Sequence, residues 1–148
     1  MPTSKTVSRT SAKATSFTAD EKAAMQERAR ELKAAARGAD GEADLLAKIA
    51  EMPEPDRGMA ERVHAIVKAA APSLTSRTWY GMPAYAKDAD VVCFFQPASK
   101  FKARFSTLGF SDKANLDDGD VWPIYYALNK LTPAAEKQIA ELVRKAVS

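Results

Sequence analysis

The chain changes its hydrophobic period once, near Pro72, and that change limits what it can fold into. Before it, apolar residues recur three and four apart, as on helices with one buried stripe. After it they alternate or cluster in short blocks bounded by Gly, Pro and Asp, as in strands joined by tight turns. Residues 75–85 (Thr-Ser-Arg-Thr-Trp-Tyr-Gly-Met-Pro-Ala-Tyr) occupy the switch and hold one of two tryptophans and two of four tyrosines.

On the helical side, order is expected from Phe17, with Thr18 and Glu21 at capping-box spacing. Met25, Ala29, Leu32 and Ala36 form a shallow stripe that Gly38 ends. Asp40 reads as the N-cap of a short helix carrying Leu45, Leu46 and Ile49, stopped near Met52 by Pro53 and Pro55. A clearer helix spans 56–71, with Met59, Val63, Ile66, Val67 and Ala70 in register and Pro72 as its stop.

On the strand side, 74–80 is extended and leads to a bend at 81–83, where Gly81 frees the backbone and Pro83 restricts its neighbour. Residues 84–86 begin the next strand, and Lys87-Asp88-Ala89-Asp90 reads as a hairpin connection. Residues 91–95 are a buried central strand, 96–99 a turn and 101–108 a further strand with Phe101, Ala103, Phe105 and Thr107 on one face. A last strand over 121–128 carries Trp122, Tyr125 and Tyr126, with Pro123 implying an edge or bulge. Thr132-Pro133 starts a closing helix whose core residues are Ile139, Leu142, Val143 and Ala146. The expected architecture is a two-layer α+β sandwich: an antiparallel sheet of four to five strands packed against helices. Its division is a basic, disordered tail over 1–16, an N-terminal helix over 17–38 and one α+β domain over 39–148.

A length of 148 residues suits one domain with a real core. The formal charge of +3 comes from Lys5, Arg9 and Lys13, because no acid precedes Asp20 and the remainder is balanced. Nucleic acid is therefore not an expected partner. The lone cysteine, Cys93, permits no intrachain disulfide, and no apolar run reaches membrane-span length. Cytoplasmic localisation is the expectation, with no membrane partner.

The usual chemical motifs are missing. There is no Gly-x-Gly-x-x-Gly, Walker loop or Gly-x-Ser-x-Gly elbow, and one cysteine with one histidine cannot furnish a Cys₂His₂ site. Asp117, Asp118 and Asp120 fall short of a calcium loop. His64 lies to one side of its helix stripe with no partner at local spacing, and reads as a structural histidine. No catalytic residue, metal ligand or cofactor is assigned. The remaining signal is aromatic. Trp79, Tyr80, Tyr85 and Trp122 have apolar bodies and polar tips suited to a ligand groove, a dimer interface or a core. With Met82 beside them and Arg77 and Lys100 adding positive charge, these seven are the candidate ligand-binding residues for a small anionic molecule.

Trp79-Tyr80-Gly81-Met82-Pro83-Ala84-Tyr85 also resembles the signature of the DUF1801, or YdhG-like, domain family. Lys100-Phe101, Leu108-Gly109-Phe110 and Trp122-Pro123 resemble its later segments, and the similarity covers residues 45–147. The resemblance implies an α/β sandwich like that of frataxin. It also implies a role proposed for some members, that of iron chaperone. Glu51, Glu54, Asp56 and Glu61 would offer part of the acidic surface such a role needs, but Arg57 and Arg62 interrupt it. Three function classes follow: a binding or accessory domain for a small ligand, a partner protein or a second copy of itself; a frataxin-like iron-binding accessory protein; and an unrecognised enzyme using the aromatic cleft.

Overall fold

A computed structural model of the chain describes residues 18–36 and 41–148. The expected tail, and the expected helix stop at Gly38 and N-cap at Asp40, lie outside the described residues. Three helices come first: α1 (Ala19–Ala36), α2 (Glu42–Glu51) and α3 (Asp56–Ala70). Strands β1 (Thr75–Trp79), β2 (Met82–Lys87) and β3 (Asp90–Gln96) follow, then the short helix α4 (Ala98–Phe101). Strands β4 (Ser106–Phe110) and β5 (Tyr125–Leu128) and helix α5 (Pro133–Ala146) complete the order. The five strands form one antiparallel meander in sequence order, with α2 lying on β1 and β2 and α3 packed against α5.

The helix ends obey local chemistry. Thr18 Oγ1 accepts from Glu21 N at 3.1 Å, and Thr132 Oγ1 accepts from Ala135 N at 3.2 Å with Pro133 just inside the helix. In α3, Ala60, Val63, Ile66 and Val67 are buried at helical spacing. They meet Leu45 and Ile49 of α2, Ile139 and Val143 of α5, and Tyr85, Phe95, Leu108 and Phe110 of the sheet. Each fully buried large side chain contributes about 1.5–3 kcal/mol, so this cluster is the main source of stability. The opposite sheet face carries a smaller cluster of Met82, Ala84 and Phe94, with Trp79 and Val91 packed on it.

Three expected elements are corrected. The bend at 81–83 is a two-residue turn at Tyr80 and Gly81, and Met82 and Pro83 already belong to β2. The β2–β3 pairing runs from Ala84 onward, one residue past the proline that has no N–H to give. The strand expected over 101–108 is instead helix α4 followed by β4 from Ser106. Asp56 Oδ2 accepts from Ser99 N at 2.9 Å and Ser106 Oγ accepts from Ala98 N at 3.0 Å, which winds the segment into a turn. Phe101 and Phe105, whose spacing suggested a strand face, are consequently exposed. The last strand is only Tyr125–Leu128, beginning after Pro123, which has no N–H to give; Ile124 O still accepts from Phe110 N at 2.8 Å.

Candidate functional site

Tyr80 and Gly81 have φ of 51° and 76°. Positive φ at both central residues is the type I′ hairpin geometry, which matches strand twist but is unfavourable for a tyrosine by roughly 1–2 kcal/mol. The compensation comes from α1. Glu31 is buried, and its two carboxylate oxygens accept from Tyr80 N and Gly81 N, each at 2.8 Å. Hydrogen bonds to a charged acceptor contribute about 1.5–3 kcal/mol each, enough to hold the strained turn. Arg28 lies 3.1 Å from Glu31 Oε1 and stacks over the Tyr80 ring at 4.1 Å.

Positive charge gathers on the same end of the sheet. The Lys100 amine, from α4, lies so close to Gly81 that a β-carbon there would push it aside. Lys48 of α2 pairs with Glu27 of α1 at 2.6 Å. A cavity of about 190 Å³ opens between these elements, lined by Lys48, Glu51, Met52, Gly81, Ser99 and Lys100 among others. Among the described residues Lys100 forms no ion pair.

The seven candidate residues do not form one groove. Tyr80 and Lys100 meet at the turn, and Trp79 contacts Tyr80 edge-on at 5.1 Å. Trp79 and Met82 pair across the hairpin and lie with Phe94 on the face away from the main core, so Trp79 is not buried against the helices. Arg77 shares that face but reaches toward the β2–β3 turn, its Nη1 donating to Ala89 O over a long 3.5 Å. Tyr85 is on the helix-covered face and only 1% exposed. Trp122 precedes β5, at the sheet edge opposite β1, four strand spacings or roughly 19 Å away. It packs against the main core and lines a separate cavity of about 520 Å³ with Asp112, Asp117 and Asp120. The strand order thus keeps Trp122 apart from the other candidate residues.

His64 has the partners that its local sequence did not show. Its Nε2 lies 3.0 Å from Glu42 Oε2 and its Nδ1 lies 2.9 Å from Tyr85 Oη, with Lys68 3.2 Å from the same glutamate oxygen. Burial pushes the Tyr85 phenol well above its ordinary range, so it stays protonated, and its hydroxyl can either donate to Nδ1 or accept from it, as the imidazole tautomer dictates. The chain of bonds ties α2, α3 and β2 together across 21 and 22 residues of sequence. Hydrogen bonds from Lys68 and then from His64 lower the Glu42 carboxyl below its usual 4.5. A depressed folded-state carboxyl adds stability that is present above the unfolded value and lost as pH falls through the folded one. Glu42→Gln is therefore expected to flatten the acid limb of a stability–pH curve below about pH 4.5, followed by urea melts. Superimposable acid limbs would contradict the linkage.

Glu54 and Asp56 are committed to main-chain amides. Glu54 accepts from Gly58 N at 2.8 Å and pairs with Arg57 at 3.2 Å, while Asp56 serves α4. Among the described residues no group of three or more His, Cys, Asp or Glu converges as metal ligands do. Burial pushes the Cys93 thiol up to about 12, leaving it a small apolar core group. No helix among the described residues is long and apolar enough to cross a membrane.

No family model matches the chain, and neither a curated protein nor a solved structure matches it.

Proposed function

We propose that this chain is a binding or accessory domain that takes a small anionic ligand at the sheet end formed by the 80–81 turn, α4 and the C-terminal half of α2. The observation that carries this reading is the convergence of Lys48 and Lys100 on a cavity of about 190 Å³ beside Gly81. Two ammonium groups set in a concave, partly apolar wall of Met52, Pro53 and Pro97 favour a ligand with negative charge and some carbon surface. The reading needs no reaction. Membership of the DUF1801 family belongs to the same proposal and rests on the motif at 79–85 with the later segments. Two of the four acidic residues that a frataxin-like iron site would use, Glu54 and Asp56, are engaged with backbone amides and arginine instead, so the anionic ligand is the preferred reading.

The test is a thermal-shift screen of carboxylate and phosphate metabolites against the full chain, followed by calorimetry. A ligand is expected whose affinity falls about tenfold or more in Lys100→Ala, the loss of one charge-assisted contact. Lys87→Ala, on the exposed far end of β2, should leave it unchanged. Equal affinity in wild type and Lys100→Ala, or no anion that binds, would overturn the proposal.

A further inference from the structure

Helix α1 is held almost entirely by carboxylates. Among its side chains described through residue 33, Glu31 alone is buried, and Glu27 and Arg28 are half-buried. Met25 and Leu32, from the shallow apolar stripe, are 55% and 53% exposed. Glu27 and Glu31 are four residues apart and so project from one helix face, with their β-carbons roughly 5–6 Å apart. One carboxylate sits on two successive main-chain N–H groups of a positive-φ turn, which is an anion-binding concavity in its own right. The other sits on Lys48, 2.6 Å away. The Lys100 amine and a Glu27 carboxylate oxygen both lie beside Gly81.

We infer that the 80–81 turn with Lys48 and Lys100 is a dicarboxylate-binding site, and that α1 fills it as an internal occupant which a short dicarboxylic acid displaces. The inference rests on the preceding reading of this sheet end as the ligand face, and deepens it by naming the ligand class and the element that competes for it. A carboxylate replacing Glu31 keeps both N–H groups satisfied and keeps Tyr80 in its left-handed conformation, and a second one replaces Glu27 on Lys48. Little apolar surface leaves water when α1 docks, so exchange trades like for like: two carboxylates leave and two arrive.

The experiment uses the full-length Glu27→Ala/Glu31→Ala chain, isotope-labelled, with succinate and glutarate as probes and acetate and sulfate as controls. Without ligand, the Tyr80 and Gly81 amides are expected to exchange roughly 10- to 100-fold faster than in wild type, for want of their acceptor. Succinate or glutarate should restore their protection saturably, about tenfold more tightly than acetate, and adding Lys48→Ala should remove that advantage. If the double variant does not fold, wild type titrated with succinate should lose protection in the α1 amides while keeping it at Tyr80 and Gly81. Wild-type-like protection in the unliganded variant, or equal response to acetate and succinate, would overturn the inference. Saturable shifts at Ser99 and Lys100 with Tyr80 and Gly81 unmoved would overturn it while sparing the anionic cavity. No shift with any probe would overturn both.

Discussion

Tyr85→Ala is expected to destabilise the fold by about 3–5 kcal/mol, the cost of truncating a fully buried large ring. Tyr80→Ala, five residues earlier in the same motif, is expected to cost less than about 1 kcal/mol, mainly its contact with the Arg28 guanidinium. The contrast follows from geometry. Tyr85 is 1% exposed on the helix side of β2, stacked on His64 with centroids 5.8 Å apart, whereas Tyr80 is 56% exposed at the turn. Tyr85→Phe separates ring from hydroxyl. It keeps the packing but leaves His64 Nδ1 without its partner, and should cost about 1–3 kcal/mol. Urea unfolding of the three variants supplies the measurement. A Tyr80→Ala cost equal to that of Tyr85→Ala would mean that the turn ring carries core packing, contrary to its exposure.

The layers of this fold are legible in the sequence because they rest on local signals. The stripe of α3, the cap at Thr132 and the apolar block of β3 each act within a few residues, and each element is where its signal predicts. The misreadings arise where a distant group overrides a local pattern. Phe101, Ala103, Phe105 and Thr107 alternate like a strand, yet Asp56, more than forty residues away, captures Ser99 N and helps wind α4. Gly81 and Pro83 together suggest a bend, but the turn falls one residue earlier because Glu31 supports positive φ at Tyr80.

The candidate site was half legible for the same reason. Gly81 with Tyr80 and Lys100 could be singled out by residue type, and they do converge. Tyr85 and Trp122 looked equivalent to them, since composition does not reveal which sheet face or edge a ring occupies. Glu27, Glu31 and Lys48 gave no such signal: on a helix rich in charge, two glutamates four apart look like any solvated pair. The one available hint was the mismatch between a weak apolar stripe in α1 and the length of that helix. Polar groups then had to hold it. His64 is the parallel case, since its partners lie 21 and 22 residues away on two other elements.

Gly109→Val is expected to cost about 1–3 kcal/mol through overpacking, although valine is the better strand former. Gly109 in β4 pairs with Phe94 of β3 on one side and Tyr125 of β5 on the other. The Phe94 ring lies across the glycine, and a β-carbon there would fall inside contact distance of three ring carbons. The ring has little room to yield. It is 6% exposed, tilted against Trp79 at 5.2 Å and edge-on to Tyr125 at 5.9 Å. A glycine beneath an aromatic ring is a known way to pin strand register, the ring replacing the missing side chain. If that is its role here, Phe94→Leu in the Gly109→Val background should recover part of the loss, giving a coupling energy of about 1 kcal/mol or more in a double-mutant cycle. Because Phe94 touches Trp79, and Trp79 adjoins the 80–81 turn, the Gly109→Val strain should also shift tryptophan fluorescence in the folded protein. Additive costs with unchanged emission would show that Gly109 is spared a side chain for some reason other than the Phe94 ring.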